Sequence, residues 1–269
     1  MSSTLTYVYC LVRAARRPSL RGVPAGMPGG GDVRVLEIPA SPPNRHWLIV
    51  STVPAREYDE KALERGLPRL EWVGPRAMAH EAVTEHFLSA RAVLPMQLFA
   101  LFTSDERAIE HMASERRRIA RILPRIERQV EWGIRLTWDE QAARETVEKK
   151  HKGRGGSIGG SGRGGEASGV SYLARKRDLF NVSRVQLKAA RAEADRLFKA
   201  MASEASDSRR QTATEQAAPG SRLLLDAAFL VPTRRTAAFR ASTRRHAKTL
   251  EGSGLVVSLT GPWPPYNFI

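Results

Sequence analysis

This sequence predicts an α+β protein built as two domains, and three observations carry the prediction. The N-terminal part holds three apolar runs of strand length and no helical period. The second half alternates helical and strand-like segments, the pattern of a small sheet with helices packed on it. A stretch at 153–169, in which nine of seventeen residues are glycine, interrupts that second half as a linker would. A chain of 269 residues has room for two average domains, and 42% hydrophobic content is enough for packed cores.

In chain order, residues 4–12 (TLTYVYCLV) read as a buried strand. Residues 18–31 form a Pro/Gly-rich loop, 33–38 a short strand, 39–44 a turn, and 46–53 (HWLIVSTV) a third strand stopped by Pro54. Asp59 can cap a short helix running to Leu67. Residues 76–90 set Ala79, Val83 and Phe87 four apart, with Ala82 and Ala90 beside them, which predicts an amphipathic helix. Residues 92–102 (AVLPMQLFALF), broken by Pro95, suit an edge strand or a kinked pair of short strands. Ser104 reads as an N-cap, followed by Asp105 and Glu106 in the first helical turn, where negative charge suits the helix dipole. Ile109, Met112, Ile119, Leu123, Ile126 and Val130 continue a three–four spacing that Arg116 interrupts and Pro124 should bend.

Beyond that helix, residues 131–138 (EWGIRLTW) read as a strand and 170–205 as a long charged helix. Leu173, Phe180, Leu187, Ala190, Ala194, Leu197 and Met201 form its apolar side. A polar loop at 206–220 leads into 222–231 (RLLLDAAFLV), apolar on both faces and therefore a central strand. A basic helix at 233–250 and a last strand at 255–260 follow. The closing residues 261–269 (GPWPPYNFI) carry three aromatics, three prolines and no charge. Prolines lower the entropy lost on ordering, so this tail is shaped to dock, on its own domain or on a partner. Because it follows the last strand directly, part of its aromatic surface is expected to pack inward.

The formal net charge is +15. Such a balance suits nucleic acid, an anionic surface or an acidic protein partner, or else a solvated arginine-rich surface. Cys10 is the single cysteine, so there is no intrachain disulfide and no cysteine cluster for zinc, which fits a reducing cytoplasm. The apolar run at 5–12 is followed, not preceded, by Arg13, Arg16 and Arg17, the wrong order for a secretory signal. No apolar run approaches the length of a membrane span.

Motifs of chemistry are sparse. Residues 160–165 (GSGRGG) match a dinucleotide-binding glycine pattern, but that pattern needs a strand before it, and Glu148-Lys149-Lys150-His151-Lys152 is none. Two Arg-Gly-Gly triplets, at 154–156 and 163–165, lack interleaved aromatics and read as linker. His80 and His86 are six apart and so point about 120° away from each other on a helix, the wrong geometry for a shared metal and suited to partly exposed histidines. Asp226, inside an apolar strand, requires a partner, and an arginine is the expected one. Cys10 reads as an inert core thiol. The residues themselves assign no catalytic, cofactor or metal site. They leave two classes open: a docking protein, and a basic nucleic-acid-binding protein using the Arg/Gly-rich loop and the long basic helix.

Residues 259–268 (LTGPWPPYNF) closely resemble the ending of the gas vesicle protein GvpL/GvpF family. Tyr7-Val8-Tyr9, Trp72, Ala79-His80-Glu81, Val93-Leu94-Pro95-Met96, Glu131-Trp132-Gly133, Ser171-Tyr172-Leu173 and residues 225–231 (LDAAFLV) continue the resemblance in order along the chain. Cys10 stands where the family tends to have glycine, Phe99-Ala100 replaces a Phe-Gly-like pair, and the glycine loop is longer than usual. The resemblance implies a modified ferredoxin-like N-terminal domain, placed at 1–103, and an α+β C-terminal domain at 104–269. It implies an accessory or minor structural protein of gas vesicles, in the cytoplasm, without catalysis or cofactor. It also implies binding to the small shell protein GvpA and, with it, other gas vesicle accessory proteins. Leu94, Phe99, Phe102, Trp263, Tyr266 and Phe268 are the residues expected to serve as partner-binding or structural anchors.

Overall fold

The computed structural model describes residues 4–39, 45–139, 141–142, 169–211 and 221–269, with the backbone alone for 169–183. Nearly all of the glycine-rich segment, both Arg-Gly-Gly triplets, the 160–165 pattern, residues 40–44 and most of the 206–220 loop lie outside the described residues, as do the side chains of Leu173 and Phe180. The chain forms two compact units, Met1–Glu131 together with Pro262–Ile269, and Trp132–Gly261.

The first unit is built on strands β1 (Thr4–Arg13), β2 (Arg34–Ile38), β3 (His46–Pro54), β4 (Ala92–Pro95) and β5 (Leu101–Phe102). Their order is β2-β3-β1-β4, with β5 also on β1, and all these pairings are antiparallel. This is the ferredoxin-like strand order. Its first crossover, residues 14–33, is a Pro/Gly-rich loop in place of a helix. In β1 the run Thr6–Val12 is wholly buried because both faces of the sheet are covered. The register shifts between Val8 and Cys10, so Tyr9 is the extra residue of a bulge. Tyr7, Tyr9, Cys10 and Val12 consequently face one core, and Val8 and Leu11 the other.

Helices α1 (Ala55–Tyr58), α2 (Glu60–Gly66) and α3 (Leu70–His86) accompany the first core. Asp59 caps α2, its carboxylate accepting from the Ala62 N–H at 2.8 Å. Helix α3 starts six residues earlier than its apolar period predicts and carries Pro75 within it. Packing of Trp72 outweighs the hydrogen bond that Pro75 forgoes: the Arg76 guanidinium lies 4.0 Å from the Trp72 ring centroid and the Phe99 ring stacks at 5.5 Å.

Helices α4 (Asp105–Ser114) and α5 (Arg116–Ile126) cover the opposite face. Ser104 caps α4 by accepting from Arg107 N–H. The break falls at Glu115 (φ −82°, ψ 3°), ahead of the expected bend at Pro124. A continuous helix would turn Arg116 into the apolar stripe. The break leaves Arg116 exposed while Ile119, Ile122, Leu123 and Ile126 stay buried. Because α4 and α5 bury their apolar faces on the first sheet, the compact units divide at 131/132, whereas the sequence places the division at 103/104.

The second unit contains β6 (Gln129–Asp139, from Trp132 on), β7 (Asp207–Arg210), β8 (Ser221–Pro232) and β9 (Leu255–Trp263, up to Gly261), in the order β7-β8-β6-β9. Two helices accompany it, α6 (Gly169–Glu204) and α7 (Thr236–Leu250). β8 is internal, as its apolar composition requires. In β6 the alternation of Trp132, Ile134, Leu136 and Trp138 with Gly133, Arg135 and Thr137 turns one face inward. Phe229 joins the rings of Phe198 and Phe239 at 5.8 and 5.7 Å. β7 lies in what the sequence predicts as polar loop. Asp207-Ser208-Arg209-Arg210 has no apolar period because it is an edge strand, where charge is normal. Arg210 fixes it by pairing with Asp195 at 2.6 Å and lying over Phe198 at 4.4 Å.

Candidate functional site

A groove of about 730 Å³ opens in the first unit. Ala77, His80 and Glu81 of α3 form one wall, and Met112, Glu115, Arg118, Ile119 and Ile122 of α4–α5 another. Leu94, Pro95, Met96, Ala100 and Phe102 contribute from the segment that joins β4 to β5, and Tyr266 and Ile269 complete the lining.

The closing segment is held there by its own unit. After Pro264 and Pro265, which are buried, Tyr266–Phe268 make one 3-10 turn, with Tyr266 N–H donating to Pro264 C=O at 2.8 Å and Phe268 N–H to Pro265 C=O at 3.1 Å. Asn267 donates to the buried Glu131 carboxylate twice, and Phe268 is fully buried. The tail thus packs inward, as expected, but as part of the first unit and not of the C-terminal domain in which the sequence reading placed it.

The groove is apolar but has a polar end. His80 Nδ1 and the Tyr7 hydroxyl are 2.7 Å apart, and the same hydroxyl accepts from Phe99 N–H at 3.3 Å. Burial pulls the His80 imidazole down to about 4 and pushes the Tyr7 phenol up. Burial also raises the Glu81 carboxyl, and with the neighbouring Glu81 charge it raises the Tyr266 phenol. His80 Nε2, Glu81 Oε1 and Tyr266 Oη are all buried without a hydrogen bond of good geometry, although the Tyr266 hydroxyl lies beside the Glu81 carboxyl and the imidazole is near the Met96 backbone. These groups can receive polar atoms of a ligand.

Three of the six expected anchors, Leu94, Phe102 and Tyr266, come together in this lining. Phe99 does not: it adopts a left-handed backbone (φ 67°) and stacks on Trp72 in the first core. Phe268 is a core residue, and Trp263 is half-buried at the end of β9, outside the groove. The sequence reading misses Ala77, Met112, Glu115, Arg118 and Ile122 as lining residues. The available signal was the three–four apolar spacing of Met112, Ile119 and Ile122, which marks a buried face but not a groove wall.

His80 is a correction: it is 3% exposed, not partly exposed, because Tyr7 offers its ring a buried partner. His86 is half-buried with its ring edge-on to Phe87. Asp226 pairs with Arg135 at 3.1 Å, the arginine partner that an apolar strand demands of a carboxylate. Cys10 is fully buried, its thiol pushed up by burial. Among the described residues no helix is long and apolar enough to cross a membrane.

The family model described as "Gas vesicle synthesis protein GvpL/GvpF" matches residues 5–269. The chain belongs to the GvpL/GvpF family. It is 29% identical over 275 residues to gas vesicle protein L of Streptomyces sp. (strain CB03234), covering 98% of this chain and 92% of that one. The fold is shared with the crystal structure of the gas vesicle protein GvpF from Anabaena sp. PCC7120, with a TM-score of 0.64 and 14% identity over 99% of this chain and 96% of that one. It is likewise shared with GvpF from Microcystis aeruginosa, with a TM-score of 0.63 and 14% identity over 99% of both chains. Gas vesicles are therefore the setting of this GvpL/GvpF protein, and other gas vesicle proteins are the context for its partners.

Proposed function

We propose that this GvpL/GvpF protein supports gas vesicle assembly without catalysis, by binding the small hydrophobic shell protein GvpA in the groove between α3 and α4–α5. A shell subunit must keep its apolar surface covered until it polymerises, and an apolar groove can do that by contact alone. The observation that carries this reading is the convergence of Leu94, Met96, Phe102, Met112, Ile119, Ile122 and Tyr266 on one opening. Leu94, Phe102 and Tyr266 are contact residues in this reading. Phe99 and Phe268 are structural anchors in this reading, packed inside the first unit.

Co-purification with GvpA tests it. Ala77→Trp fills the groove from the α3 wall, and Met96→Glu places a charge on its lining. Both variants should fold and lose GvpA. Retention of GvpA by both, at native yield, moves the contact elsewhere. Deleting residues 261–269 is the wrong test, because it removes a core residue, Phe268, together with any contact.

A further inference from the structure

The groove is bordered by a row of arginines. A smaller depression of about 400 Å³ beside it is lined by Arg118, Arg121, Ile122 and Arg125, and it shares Arg118 and Ile122 with the groove. All three arginines are exposed and recur at a spacing of three to four residues along one edge of α5, so they form a straight cationic lip. Glu115 stands 3.6 Å from Arg118 at the start of this lip. At the polar end stand the buried Glu81 Oε1, His80 Nε2 and Tyr266 Oη, the tyrosine hydroxyl beside the Glu81 carboxyl.

The shape of the opening bears on what enters. β4 is the edge strand here, but it has four residues and ends in Pro95, so it offers little backbone for an added strand. The walls are helices, and a trough between helices is filled by the ridges of another helix. A docked helix places apolar residues at three–four spacing in the trough and its flanking polar edge over the lip.

Resting on the reading that this groove is the contact site, we propose that it receives an amphipathic helix of the partner whose polar edge is acidic. Its carboxylates meet Arg118, Arg121 and Arg125, and its apolar side meets Leu94, Met96, Met112, Ile119 and Ile122. The lip sets orientation and encounter, as rim charges do, and the trough supplies the burial.

Two labelled synthetic peptides of about five turns, long enough to hold some helix alone, serve as probes. Both carry one leucine stripe. One has glutamates along the adjoining edge and the other lysines. Fluorescence anisotropy against the full chain should show the glutamate peptide binding and the lysine peptide failing. Arg118→Glu/Arg121→Glu should weaken the glutamate peptide about tenfold or more and let the lysine peptide bind. Added salt should weaken the native complex, since the lip is solvent-exposed. Both side chains are exposed, so circular dichroism should show the double variant folded. Equal binding of the two peptides, or binding of neither, overturns the proposal. So does displacement of the glutamate peptide by a single-stranded DNA oligomer at equal concentration, which assigns the lip to phosphate. The two readings fail separately. If neither peptide binds but Ala77→Trp still abolishes GvpA co-purification, the groove stands and the acidic helix falls. If Ala77→Trp leaves co-purification intact, the groove itself falls.

Discussion

Asn267 closes on Glu131 with two hydrogen bonds: its backbone N–H donates to Oε2 at 2.9 Å and its side-chain Nδ2 to Oε1 at 2.5 Å. The carboxylate is buried, so these donors replace water. Asn267→Ala removes one of them and is expected to cost about 1–3 kcal/mol, read as a lower urea midpoint with an unchanged m-value. Glu131→Gln in the same background should add less than it costs alone, because the two side chains form one unit. Additive losses would show that the pair does not act together.

Phe268 stands next to that clamp with no exposed surface. Phe268→Ala should cost about 3–5 kcal/mol, as for other buried aromatics. Phe268→Leu should recover much of the loss. Near-native stability of the alanine variant would place the ring outside the core.

His80 gives the first unit a pH dependence whose sign is fixed. Its ordinary value is 6.5 and its folded value about 4, lowered by burial. Between these values the unfolded chain holds a proton that the folded chain lacks, so stability falls as pH falls from 6.5 toward 4. The limiting slope for one proton is about 1.4 kcal/mol per pH unit. Glu81, raised by burial in the same groove, acts in the opposite sense above its ordinary 4.5, so the comparison must keep it in both proteins. Urea midpoints of native protein and His80→Gln should therefore diverge on acidification, with the variant less sensitive. Parallel curves would mean that His80 titrates normally.

Gly66 tests whether Trp72 is fixed. Alanine is the better helix former by about 1 kcal/mol, so propensity alone predicts stabilisation. A Cβ at position 66 would, however, collide with the Trp72 ring, which Arg76 and Phe99 also pack against. Gly66→Ala should destabilise by about 1–3 kcal/mol. Gly66→Ala with Trp72→Leu should lose less than the two single effects combined. A more stable Gly66→Ala protein would show that the ring moves freely.

Much of the fold was legible because local chemistry dictated it. The runs around Val8, Ile49 and Phe229 are apolar on both faces and could only be buried strands. Asp59 and Ser104 announced their helices by side-chain capping, and Pro95 marked the end of an edge strand. What escaped was set by contacts distant in sequence. The start of α3 depends on Trp72 meeting Arg76 and Phe99, and the burial of His80 depends on Tyr7. β7 exists because β8 pairs with it, although its own residues have no apolar period. The site was half legible for the same reason: Leu94, Phe102 and Tyr266 stood out as apolar or aromatic, but the arginine lip of α5 looked like ordinary surface charge until it fell beside the groove.

The first unit is assembled from two stretches of chain with the whole of 132–261 between them. During translation, the ribosome makes that intervening segment before Asn267 and Phe268 exist. At about 5–20 residues per second this takes on the order of ten seconds. Through that interval the nascent first unit has neither its closing ring nor the donors for Glu131, and its apolar trough lacks Tyr266 and Ile269. The walls of the trough are thereby completed only after synthesis has passed the second unit.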